Sequence, residues 1–159
     1  MLNVTLVGDR ELVAKFTAMP SKVHSALLKK VTVLALQLRT KVRDQLSGIV
    51  LNVKSGALRR SIFEMVEDSP TKVIGKVASS GDVKYAGIHE FGGVIPAHDI
   101  VPSKAAALAF IWNGKQVFFQ RVHIPDVTMP ERSFLRSSLG EMAPQITQGL
   151  RDAVSEGLR

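Results

Sequence analysis

Residues 21–46 read SKVHSALLKKVTVLALQLRTKVRDQL, and a single helix accounts for all of them. Val23, Leu27, Val31, Leu34, Leu38, Val42 and Leu46 recur at spacings of three or four, the period of an α-helix and not of a strand. Ala26, Leu28, Val33, Ala35 and Leu36 widen the apolar stripe, so the middle turns are expected to be buried on more than one side. Pro20 ends the preceding segment, and Ser21 can cap the helix. Gly48 adopts without strain the left-handed conformation that closes a helix. At 1.5 Å per residue the helix is about 40 Å long, enough to cross a small domain, which predicts a sheet packed along it.

Working outward, Leu2–Val7 reads as a strand and Arg10–Thr17 as a short helix with Leu12, Val13 and Phe16 inside. Arg39, Lys41 and Arg43 suit the negative end of the long helix. Beyond it, Ile49–Lys54 reads as loop, and Ser55 can cap one helical turn that delivers Ile62 into a strand. Ser61–Val66 and Lys72–Ser79 form an antiparallel pair turned at Asp68-Ser69-Pro70-Thr71. Tyr85–Phe91 is a short helix stopped by Gly92-Gly93.

Ile95–Pro102 and Pro125–Pro130 carry prolines and no clear period, so both read as irregular connectors. Between them Asn113-Gly114 marks a tight hairpin turn. Pairing outward sets Trp112 opposite Lys115, Phe110 opposite Val117 and Leu108 opposite Phe119, an apolar face expected on the core; Ile111, Gln116, Ala107 and Gln120 fall on a mixed face. Leu135, Leu139, Met142, Ile146, Leu150, Val154 and Leu158 define a last amphipathic helix, which Pro144 should kink or split. The expected fold is therefore one α+β domain over residues 1–159, with an antiparallel β-sheet packed on one long α-helix and a kinked C-terminal helix.

Composition bounds the function. Hydrophobic residues make up 45% and charged residues 22% of the 159-residue chain, as in ordinary globular proteins. No apolar run reaches the roughly 18 residues of a membrane helix, so no membrane partner is expected. Met1-Leu2-Asn3-Val4 lacks the basic-then-apolar start of a signal peptide. There is no cysteine, which excludes disulfides, thiolate metal sites and thiol nucleophiles. The formal charge of +7 favours anionic partners, but the basic residues come singly or in pairs, as Lys29-Lys30 and Arg59-Arg60 do, rather than in a tract.

Chemistry-bearing patterns are missing. His24, His89, His98 and His123 share no helix-face ligand spacing, so no metal site is expected. His89-Glu90 begins like a zinc-protease motif, but Gly93 stands where its second histidine belongs. No Gly-x-Ser-x-Gly elbow, dinucleotide fingerprint or phosphate loop occurs; Gly114-Lys115 continues into Gln116. No enzyme, catalytic residue or cofactor is expected.

Four stretches, read together, resemble one family. Ser55-Gly56-Ala57-Leu58-Arg59-Arg60-Ser61-Ile62 looks like its small-Gly-x-Leu-Arg-x-Ser-Ile segment, in which Gly56, Leu58, Arg59 and Ser61 are the matching positions. Tyr85-Ala86-Gly87-Ile88-His89-Glu90-Phe91-Gly92-Gly93 is similar to its Tyr-Ala…Glu-Phe-Gly signature. Ile100-Val101-Pro102-Ser103-Lys104-Ala105, running into Leu108-Ala109-Phe110, resembles the family segment next in order. Met129-Pro130-Glu131-Arg132-Ser133-Phe134-Leu135-Arg136 looks like the segment opening the last helix, with Ser133 in place of a second proline. The family is the minor tail component or tail-completion proteins of long-tailed bacteriophages, related to phage virion-morphogenesis proteins.

The resemblance implies a structural virion protein of the phage neck, present in the host cytoplasm during assembly. It implies a six-fold ring of copies between the tail terminator or tail tube and the head-connector or adaptor proteins. A weak electrostatic contact with genomic DNA is permitted, and a DNA-contacting protein is the alternative reading. On physical grounds Tyr85 and Phe91 are expected to bury their rings against the sheet, and Gly92-Gly93 to reverse the backbone. Glu90 and Arg132 are expected to pair and lock the two signature segments together. Ile95, Ile100 and Val127 are expected ring contacts, because free connectors seldom keep apolar side chains exposed.

Overall fold

The long helix organises the chain. The computed structural model describes residues 21–158, so the strand and short helix expected over 2–17 lie outside the described residues. Helix α1 spans Ser21–Asp44 and closes through Gln45–Ile49, where Gly48 takes φ +112° and the Val50 N–H donates to the Gln45 carbonyl (2.9 Å). The turn α2, Ala57–Ser61, leads into β1, Ile62–Ser69, which pairs with β2, Lys72–Ser79. Helix α3 is Ala86–Phe91. Strands β3 (Gly93–Ile95), β4 (His98–Ile100), β5 (Leu108–Trp112), β6 (Lys115–Phe119), β7 (Val122–Ile124) and β8 (Val127–Met129) precede the last helix, α4, Leu135–Gly157. The fold is α+β, and every pairing among the described strands is antiparallel.

Helix α1 is covered on two sides, as its widened stripe required. The hairpin β1–β2 lies on one side, where Gly75 lets the strand approach; a Cβ there would meet Val31 and Ala35 at 3.0 and 3.4 Å. Arg39 holds the Glu64 carboxylate at 2.6 Å, and Arg43 donates to the Ile62 carbonyl at 2.7 Å. Helix α4 runs antiparallel along the other side: Gly157 meets Val23, Gly149 meets Leu34, Gln145 bonds Gln37, and Glu141 pairs with Lys41 at 2.6 Å. The third side, with Val33 and Leu36, is open to solvent. Val42, Leu46, Ile62, Val77, Ala86, Phe134 and Leu135 form the core where these elements converge, with Leu58 packed at its margin.

Three expectations need correction. First, of the two outcomes expected at Pro144, kink or split, the split does not occur: α4 continues through it, and its ring lies on the exposed face, so water can satisfy the carbonyl its missing N–H leaves free. Second, the proline-bearing connectors are not irregular. They pair with each other, β3 with β8 and β4 with β7, around the central hairpin β5–β6, and together make one nested ribbon. Pro96, Pro102 and Pro125 lack the ladder N–H and divide the ribbon into three short ladders. Third, the central hairpin does not sit on the core. Its register is the expected one, Trp112 opposite Lys115, Phe110 opposite Val117 and Leu108 opposite Phe119, and its turn has positive φ at Asn113 (48°) and Gly114 (76°). Yet the ribbon strands have no extensive packing against any other described element.

Candidate functional site

The ribbon leaves the body at a junction built on Glu90. Glu90 lies at the end of α3 and has no solvent-exposed surface. Its carboxylate caps the start of α4: Oε2 accepts the backbone N–H groups of Phe134 (2.8 Å) and Leu135 (2.9 Å), and Oε1 accepts that of Arg136 (3.0 Å). The Ser133 hydroxyl donates to Oε1 at 2.8 Å, and Arg136 Nε to the same oxygen at 3.2 Å. Free N–H groups at a helix start need acceptors, and α4 has no side-chain cap of its own at Phe134. A carboxylate from a segment far away in sequence supplies it. Burial raises the pKa of Glu90; the N–H groups of Leu135, Arg136 and Phe134 and the Ser133 hydroxyl outweigh burial and hold it below the usual carboxylate value.

The expected partner of Glu90 is therefore corrected. Arg136, not Arg132, makes the ion pair, and its Nη2 also reaches the Glu90 carbonyl (2.9 Å) and Glu131 Oε1 (2.7 Å). Arg132 is exposed and contributes its backbone N–H to the His89 carbonyl at 2.8 Å. Arg136 ended the quoted segment but has no sequence feature that sets it apart from Arg132. The helical turn decides between them. Ser133 supplies a hydroxyl that donates to Glu90 from within the loop and also accepts the Ser137 N–H at 3.3 Å.

The other signature residues divide into framework and surface. Phe134 and Leu135 are buried in the core. Gly92 (φ +68°) and Gly93 (φ +137°) turn the chain into β3, and a Cβ on Gly92 would stand 2.8 Å from the Glu131 nitrogen. Gly56 (φ +71°) starts α2, and the Ser61 hydroxyl donates to the Leu58 carbonyl at 2.8 Å and bonds the Ser79 hydroxyl at 2.8 Å. Arg59 is exposed. Tyr85 and Phe91 do not bury their rings: they are 45% and 49% exposed. Tyr85 stands edge-on to His89, and the Arg136 guanidinium lies 4.6 Å over the Phe91 ring, so both rings form the outer wall of the junction. His89 has its pKa lowered by burial and then by the charge of Arg132.

Along the ribbon, Ile95 faces Val127 in register, and Ile100 and Val127 are exposed. Asp99 stands opposite His123 and hydrogen-bonds its Nδ1 at 2.9 Å; that bond, against a small desolvation and helped by the charge of Arg121, lowers the Asp99 pKa. At the tip Ile111 is 77%, Trp112 64% and Phe118 63% exposed, with Phe110 and Phe119 also open to solvent. The sequence did carry a signal for this. Leu108–Trp112 and Val117–Phe119 are almost continuously apolar, without the alternation of a strand that has one wet face. No group of His, Asp and Glu that could hold a metal occurs among the described residues, and no described helix is long and apolar enough to cross a membrane.

No family model, curated protein or solved structure matches the chain. The described residues thus form a body, a clasp on a buried carboxylate, and a ribbon whose apolar end no other described element covers.

Proposed function

We propose that this chain is a structural assembly protein of a tailed-phage neck, which completes the tail end and joins it to the head connector through a ring of copies. It acts by binding, with no chemical step. One observation carries the reading. Two of the four quoted segments, around Glu90 and around Arg136, meet in one clasp on a buried carboxylate, which anchors a ribbon whose apolar tip nothing else in the described chain covers. An exposed patch of this kind marks a protein contact. The test is to mix the purified chain with tail tubes that lack it and image them by negative stain. Density capping the tube ends is expected, and bare tubes overturn the reading.

A second reading, contact with packaged DNA, draws on one specific feature. Lys22, Lys29 and Lys30, with Ser21, Ser25 and Glu156, line an open groove of about 540 Å³ between α1 and α4, and the first turn of α1 carries no acid. DNA held there would lose affinity with salt, at a log–log slope of about −0.9 per phosphate neutralised. Lys29→Gln with Lys30→Gln would then flatten the slope, and an unchanged slope removes this reading.

A further inference from the structure

The ribbon tip carries a reactive pair, Asn113-Gly114. The chain has three asparagines, Asn3, Asn52 and Asn113. Valine follows the first two, and only Asn113 precedes a glycine. A side-chain amide is open to attack by the backbone nitrogen of the next residue, which closes a cyclic imide. A β-branched side chain crowds that nitrogen, whereas glycine leaves it bare. Around Gly114 nothing lies within 4 Å of where a Cβ would stand. Asn113 and Gly114 are both exposed. Asn113 is also the one residue other than glycine with positive φ (48°) among the described residues, a conformation that the tight turn imposes. Ring closure needs free rotation of the main chain at Asn113, which a closed ladder restricts. Little holds the ladder closed at this end: Trp112 with Lys115 is the last pair, and no other described element packs extensively on the ribbon. Opening one pair at an uncovered hairpin end belongs to the low end of local unfolding free energies.

We propose that Asn113 is a modification site: it deamidates spontaneously through a cyclic imide with Gly114, and the rearranged product dismantles the hairpin tip. The Gly114 nitrogen gives up its proton and bonds to Asn113 Cγ; the Cγ–Nδ2 bond breaks, and Nδ2 leaves as ammonia. Water then opens the imide. Addition at Cγ restores the ordinary backbone with aspartate at position 113. Addition at the Asn113 main-chain carbonyl leaves the chain running through Cβ and Cγ, an isoaspartate with one further carbon in the backbone. The sum exchanges an amide and water for a carboxylate and ammonium, with no oxidant or reductant. A two-residue turn fixes register through its backbone length and twist. The longer isoaspartyl backbone no longer sets Trp112 opposite Lys115, Phe110 opposite Val117 or Leu108 opposite Phe119. The reaction gives the uncovered tip a limited lifetime, whatever the tip binds.

Trypsin separates the sites. Cleavage after Lys104 and Lys115 isolates residues 105–115, and cleavage after Arg43 and Lys54 isolates residues 44–54. The full-length protein is aged in mildly alkaline buffer and digested beside an unaged sample. Both peptides are followed by mass spectrometry, with isoaspartate identified by electron-transfer fragmentation. The acid form of 105–115 is expected to accumulate, isoaspartate above aspartate, many-fold faster than that of 44–54, whose Asn52 is also exposed but precedes Val53. An acid form that grows no faster than at Asn52 overturns the site. So does a folded chain that stays intact while a synthetic 105–120 peptide reacts, since the closed turn then protects Asn113. Backbone hydrogen exchange tests the consequence: amides of β5–β6 in the aged chain should lose protection while those of β1–β2 keep it. Freshly purified Asn113→Asp keeps the backbone length and suits the same turn, so it should retain protection in β5–β6. A protected hairpin in an isoaspartate-bearing chain overturns the loss of the tip.

Discussion

Glu90 Oε2 accepts the backbone N–H of Leu135 at 2.9 Å, so a carboxylate from α3 caps the first turn of a helix that begins 45 residues later in the chain. The same carboxylate receives two further backbone N–H groups, a hydroxyl and a guanidinium, with no water-exposed surface. Glu90→Gln keeps the size of the side chain but replaces one acceptor oxygen with an amide donor that faces donors. A loss of about 2–4 kcal/mol is expected in urea unfolding, because buried donors are left without partners. A loss below about half a kcal/mol, under the worth of a single hydrogen bond, would show that the clasp is not what fixes α4.

That loss depends on pH with a definite sign. The folded pKa of Glu90 is lowered, so its stabilisation is complete above the unfolded carboxylate value of about 4.3 and disappears as pH falls through the folded value. The stability gap between wild type and E90Q should hold from neutral pH to about pH 5 and narrow below it. A gap that widens on acidification contradicts the arrangement.

His89 should titrate below the ordinary histidine value, with burial the larger cause and Arg132 the smaller. A histidine held neutral when folded protonates first in the unfolded chain, so its contribution is lost as pH falls below about 6.5. Arg132→Gln should move the His89 pKa part of the way back up, read from its ring proton in an NMR titration. No movement would remove Arg132 as a cause.

Glycines along α4 should differ sharply when replaced by alanine. A Cβ at Gly157 would stand 2.9 Å from the Val23 nitrogen and overlap its Cα, so Gly157→Ala must separate the two helices and should cost about 1–3 kcal/mol. Gly140 has open space in the same helix, and Gly140→Ala should stabilise by about 0.5–1 kcal/mol. Thermal melts of the two variants moving in the same direction would be inconsistent with this packing.

Trp112 is the single tryptophan of the chain and sits near the ribbon tip, mostly exposed. Its emission should lie close to that of a solvated indole and change little on unfolding, while bound partners should shift it to the blue. A native spectrum typical of a buried indole would contradict an uncovered tip.

The helix of residues 21–46, the pairing of a strand read as Ser61–Val66 with Lys72–Ser79, and the register about Asn113-Gly114 were legible in the sequence, because each rests on short-range terms, although the first strand runs on to Ser69. A 3.6-residue period, a turn that needs positive φ and a glycine stop act within a few residues of one another. The sequence also marked both segments that form the clasp. It could not choose Arg136 over Arg132, since the choice depends on which side chain one turn of α4 brings back to Glu90. Nor could it place the hairpin's apolar faces: the pattern Leu108–Trp112 requires cover but does not say whether the same chain supplies it. Only the tertiary structure decided that. With α1 covered by β1–β2 and α4, and the core completed by Phe134 and Leu135, the body closes its core without the ribbon, whose tip no other described element covers.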